Sequence, residues 1–375
     1  MAFNNEDFKK SFQSLSTRYG GSLLLEKQLL SQKEVAVFIG LGGLGGRAVN
    51  AIKAASTEKL DNSDRRYFLV VDTSEQSMNE ISAVTKLDIE DPEEAEFRVR
   101  GCIEEHEKLP LYKDTYKIKT LGHDIDSWLN RAQLGEVEVD NRGAQGIRQI
   151  GRVMLMANGN YEIVYRKLSS ILNKAKSVAE SKNVEMKIYI IAGISGGTGS
   201  GTIVDFTYMV KRAISGFADK YKKIDAILFT PDVQFNDHGI DQNKQKGLKA
   251  NFYAAIKEVD FFFNNKARKV SYKCPYTNDE EVYKEDIFNS CTLVSRRAQG
   301  VDISETSNGV IKRVAEALTF EISGIEGKTN KGDGQSYSDF FSNVYNNFQL
   351  WWPSNSNGNG LDMPEWAASR YSSLA

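Results

Sequence analysis

The chain reads as an α/β protein built on a parallel sheet with helices on both faces, and three observations predict it. Apolar runs at 35–39, 67–71, 186–191 and 225–230 have the length and composition of buried strands. Stretches near 47–55, 150–158, 161–180 and 203–215 read as helices set between them. Glycine-rich segments directly follow the first and third of these strands, where such a sheet carries its ligand loops.

Residues 1–32 form an N-terminal extension, in which Leu23-Leu24-Leu25 and Leu29-Leu30 mark a short helix packed on the body. The strand at 35–39 runs into Gly40-Leu41-Gly42-Gly43-Leu44-Gly45-Gly46, and Arg47 opens a helix. Alone, that turn fits a dinucleotide site and the adenylating fold of ubiquitin-activating-type enzymes equally well. The strand at 67–71 ends in a loop, Asp72-Thr73-Ser74-Glu75-Gln76. Another loop covers Gly143, Ala144 and Gly146 and continues through Ile150-Gly151-Arg152.

The most informative stretch follows the strand at 186–191. Glycines 196, 197, 199 and 201 let the backbone approach a ligand and turn several N–H groups the same way, while Thr198 and Ser200 add hydroxyls. A strand, a glycine-rich turn and a helix N-terminus make an anion cradle, and the natural anion is phosphate. No Gly-x-x-x-x-Gly-Lys-Ser/Thr loop is present, which disfavours an ordinary P-loop site.

Four loops in this order resemble those of the tubulin and FtsZ superfamily. The first is similar to the FtsZ glycines followed by Asn-Ala-Val-Asn, here Arg47-Ala48-Val49-Asn50. The second matches Asn-Thr-Asp-x-Gln through Asp72, Thr73 and Gln76, with Ser74 where FtsZ has an Asp. The third resembles Gly-Ala-x-Gly followed by Ile-Gly-Arg, and the fourth Gly-Gly-Gly-Thr-Gly-Ser-Gly, with Ser195 replacing its first glycine. Asn251-Phe252-Tyr253-Ala254-Ala255 looks like the helix after the fifth loop in a divergent group of bacterial tubulin-like proteins. Val314-Ala315-Glu316-Ala317-Leu318 resembles the central helix leading out of the nucleotide-binding domain.

The resemblance implies a nucleotide-binding domain over 33–325, with an insertion at about 84–140 and a loop-rich segment at 326–375. The second domain of the family is then missing or abbreviated, by truncation or by loss. It implies GTP or GDP as ligand, with Mg²⁺. The phosphates would meet Gly42, Gly43, Leu44, Gly45 and Gly46, and Gly196, Gly197, Thr198, Gly199 and Ser200. Gly143, Ala144 and Gly146 would sense the terminal phosphate, and Asp72 and Thr73 would lie near the nucleotide and cation. Arg47 would either contact phosphate or pair with a carboxylate. Asp237 is the candidate for the ribose, and Glu316 is either the reader of the guanine edge or a solvent-facing helix residue. Hydrolysis would be completed in trans by a neighbouring subunit through Asp339, with Ser342 where a second carboxylate is expected.

Composition sets limits on these readings. A formal net charge of −2 over 375 residues draws the chain to neither nucleic acid nor anionic membrane. Cys102, Cys274 and Cys291 show no metal or redox spacing, and three scattered histidines offer no metal site. No apolar run approaches membrane-spanning length and the N-terminus is polar, so a cytoplasmic protein is expected. The acidic run at 88–94 is solvated surface or a partner surface, and the N-terminal extension is a second place for a protein partner. Two functions follow. One is a GTP-binding protein that assembles head to tail into filaments. The other is a nucleotide-binding regulatory or scaffold module that neither polymerises nor hydrolyses.

Overall fold

The computed structural model describes residues 34–59, 66–84, 106–112, 115–121, 128–157, 159–263, 271–274, 280–282, 286–298, 301–302, 304–323 and 371–374. Seven strands form one sheet: β1 (Glu34–Leu41), β2 (Arg66–Asp72), β3 (His106–Pro110), β4 (Glu185–Gly193), β5 (Lys223–Phe229), β6 (Ser290–Val294) and β7 (Tyr371–Leu374). Their spatial order is β7-β6-β5-β4-β1-β2-β3 and every neighbouring pair is parallel. The order reverses between β1 and β4, the switch point at which a doubly wound sheet opens a crevice beyond its carboxyl ends.

The helices that accompany the sheet among the described residues include α1 (Gly42–Lys59), α2 (Glu75–Asn79), α3 (Arg148–Met156), α4 (Asn160–Lys182), α5 (Thr198–Ala213), α6 (Gln242–Phe263) and α7 (Ser307–Ser323). Side chains alternate across each strand, so β1 feeds two cores. Val35, Val37, Ile39 and Leu41 pack with Val153 of α3, Leu168 of α4, Phe206 of α5 and Val259 of α6. Ala36 and Phe38 pack with Ala48, Val49 and Ile52 of α1 and Val310 and Val314 of α7. Both faces of the sheet are therefore covered, as its mostly apolar central strands require.

Several elements differ from the sequence reading. The helices expected at 47 and 203 start earlier, at Gly42 and Thr198, so the first glycine run and residues 198–201 of the other form first turns of helices. The loop expected at 72–76 continues into α2, capped by Ser74, whose side chain accepts from Ser77 N. Within 84–140, residues 106–110 join the main sheet, and Ile118, Leu129 and Val139 are buried in its core. The run at 88–94 and the extension at 1–32 lie outside the described residues. Cys274 and Cys291 are free and buried. No described helix is long and apolar enough to cross a membrane.

Candidate functional site

Register brings the predicted loops to one place. Leu41 of β1 pairs with Val71 of β2 and with Ala192 of β4, so these three strands end level. Gly42, Asp72 and Gly193 consequently emerge side by side. Gly42 turns the chain into α1 with φ +70°, and a Cβ there would lie 3.0 Å from the Gly199 nitrogen. At Gly45 a Cβ would collide with the Ile191 carbonyl, so the first turn of α1 rests directly on β4. Leu44 faces the core, leaving only its main chain to meet a ligand.

The second and third loops close onto α5 through hydroxyls. Thr73 Oγ1 lies 2.5 Å from Thr198 Oγ1 and accepts from Ala144 N at 3.1 Å. Thr198 also donates to Asp72 Oδ1 at 3.3 Å, and Thr73 N donates to the same oxygen at 2.6 Å. Asp72, Thr73, Ala144, Thr198 and Ser200 are all buried. Burial pushes the Asp72 carboxyl up from 3.8 to about 6, against bonds from Thr73, Ser74, Thr198 and Ser77 that lower it. Ser200 spends its hydroxyl on the Gly196 carbonyl. A Cβ built on Gly196 meets nothing within 4 Å, so this end of the cradle opens on free space.

Arg47 meets a carboxylate and two polar side chains. Its guanidinium donates to Asn308 Oδ1 at 2.9 Å and Ser307 Oγ at 3.3 Å, and lies 4.0 Å from Asp237 Oδ2. Asp237 Oδ1 in turn accepts from Ser307 N at 3.3 Å, a negative charge at the positive end of α7. Packing of α1 beside α7 makes this arrangement possible. Glu316 stands on α7 nine positions after Ser307, about 14 Å along the axis at the α-helical rise, and its side chain lies outside the described residues. Asp339 also lies outside them.

Four residues enter the site that sequence reasoning did not select. Ser77 sits 3.1 Å from a Cβ placed on Gly43, and Ser307 and Asn308 hold Arg47. Asn251 donates to the Gly146 and Ser195 carbonyls. Only Asn251 had a local signal, its place in the 251–255 motif. No group of three or more His, Cys, Asp or Glu that could hold a metal occurs among the described residues. A lone carboxylate flanked by hydroxyls still fits Mg²⁺, which commonly takes one or two carboxylates and completes its shell with water and ligand phosphates.

Fold and site together define a doubly wound α/β protein whose switch point brings two glycine-rich helix starts against each other. The family model described as "tubulin like" matches residues 37–366, and the chain belongs to that family. Among solved structures it is similar to TubZ of Bacillus thuringiensis serovar israelensis, in GDP-form protofilaments, at 11% identity and TM-score 0.46. That match covers 87% of this chain and 64% of the other. CetZ2 from Haloferax volcanii, a protofilament with GTPγS, matches at 14% identity and TM-score 0.39, covering 79% of this chain and 60% of that one. The chain thus spans less than two thirds of either. No curated protein matches the sequence.

Proposed function

We propose that the protein binds GTP and GDP at the switch point and assembles head to tail, with nucleotide between successive subunits. The observation that carries this reading is the meeting of Gly42 and Gly199, with Thr73, Thr198 and Ala144 locked beside them. The main chain of Gly43–Gly46 and of Gly196–Ser200 would take the inner phosphates, and Ala144 and Gly146 the terminal one. Asp72, with the Thr73 and Thr198 hydroxyls, would hold Mg²⁺, which when bound offsets phosphate charge. Asp237 would serve the ribose and α7 the base. Hydrolysis would need Asp339 of a neighbouring subunit, in a cytoplasmic filament.

One observation favours a second reading, a module that binds nucleotide without hydrolysing it. Ser74, where FtsZ has an Asp, is spent capping α2 and brings no second carboxylate beside Asp72. Measurable, concentration-dependent GTPase activity excludes that reading. The primary test is to denature purified protein and identify released nucleotide by chromatography. Guanine nucleotide in near-stoichiometric amount is expected. Adenine nucleotide or NAD overturns the GTP assignment.

A further inference from the structure

One side chain outside the four loops ties two of them together. Asn251, on α6, donates through its amide nitrogen to Gly146 O at 2.8 Å and to Ser195 O at 2.9 Å. Carbonyls only accept, so the amide must present its nitrogen here and both of its N–H bonds are used.

Each end of this bridge constrains something the pocket needs. Gln145 and Gly146 are successive left-handed residues, φ 48° and 78°, and the first is not a glycine. Such backbone persists only where its surroundings over-determine it. Here Ile147 N donates to Ala144 O at 2.8 Å, Ala144 N is held by Thr73, and Asn251 takes Gly146 O. At the other end the Ser195–Gly196 peptide is trans, so its N–H points away from its carbonyl. With the carbonyl held by Asn251, the Gly196 N–H is turned the other way and has no partner among the described residues.

We propose that Asn251 is a positioning residue that couples the 143–147 loop to the start of α5, so that the pocket favours a nucleoside triphosphate over a diphosphate. The proposal rests on the reading of the pocket as a guanine-nucleotide site. A diphosphate satisfied by the two glycine helix starts would need only one end of the bridge. A third phosphate reaching Ala144 and Gly146 would need both.

The test measures affinity of the full chain for a slowly hydrolysed GTP analogue and for GDP in wild type, Asn251→Asp and Asn251→Ala. Aspartate keeps the shape and loses both donors. Losing two hydrogen bonds predicts about a tenfold loss for the triphosphate and under about threefold for GDP. Both bonds exist without ligand, so the nucleotide-free unfolding midpoint should fall as well, and the split between the two ligands is the readout. Equal losses for both ligands, or none, overturn the coupling while leaving the nucleotide site standing. Wild type that binds neither ligand overturns the site itself. Hydrogen exchange on wild type gives a readout free of variants: the analogue should protect 143–147 and 195–197 at one common midpoint. Separate midpoints also overturn the coupling.

Discussion

Asp72 shows at the level of one residue what the site costs. Its carboxyl titrates near 6 in the fold against 3.8 ordinarily, because burial outweighs the bonds it accepts. A raised carboxyl means that the ionised form is penalised by folding, and that penalty is fully present above pH 6. It fades as pH falls through 6 and is gone below about 4. A carboxyl moved from 3.8 to about 6 carries a penalty of about 3 kcal/mol. Asp72→Asn, neutral at every pH, is therefore expected to raise the unfolding midpoint of nucleotide-free protein at pH 7.5. The advantage should shrink steadily from pH 6 to pH 4. A lower midpoint at every pH would show that the hydrogen bonds to Asp72 outweigh the cost of burying its charge. The same variant is expected to weaken Mg²⁺-dependent nucleotide binding.

At the scale of elements, glycine is what sequence reading judged least well. Glycine disfavours helix interiors, so runs at 42–46 and 196–201 read as loops with helices starting at 47 and 203. Gly42–Gly46 and Thr198–Gly201 are helical, with Gly196 and Gly197 forming the bend before α5, and neighbouring backbone lies against Gly45, Gly199 and Gly201. Gly45→Ala would drive a Cβ into the Ile191 carbonyl, with Ala192 Cα also within 3.3 Å. A loss of about 3 kcal/mol is expected by chemical denaturation, since backbone on both sides cannot give way. Gly247→Ala, inside α6 with nothing within 4 Å, should instead gain about 0.5–1 kcal/mol. Similar effects at the two sites would refute the packing explanation.

The four central strands were legible because β1, β2, β4 and β5 are apolar nearly throughout. The edge strand His-Glu-Lys-Leu-Pro of β3 carries no such signal, and β6 is short and mixed with Ser, Cys and Thr. The loops at the carboxyl edge were legible from local glycine patterns. The contacts that brace them were not, because Asn251 reaches across 105 residues to Gly146 and Arg47 across 261 to Asn308.

For the whole molecule, the proposed pocket lies at the carboxyl edge of the sheet, and an apolar side chain stands exposed beside it. Ile147 follows the 143–146 loop and is 38% exposed. A second copy covering the pocket would bury it, and a head-to-tail contact would gain apolar area in that way. Assembly and occupancy should then be linked. GTP-dependent sedimentation is expected above a threshold protein concentration. Gly197→Ala combined with Thr198→Val should abolish it. The new methyl at 197 would lie 2.7 Å from Ala144 Cβ, and valine removes the hydroxyl shared by Thr73 and Asp72. If the double variant sediments normally, assembly does not depend on the pocket.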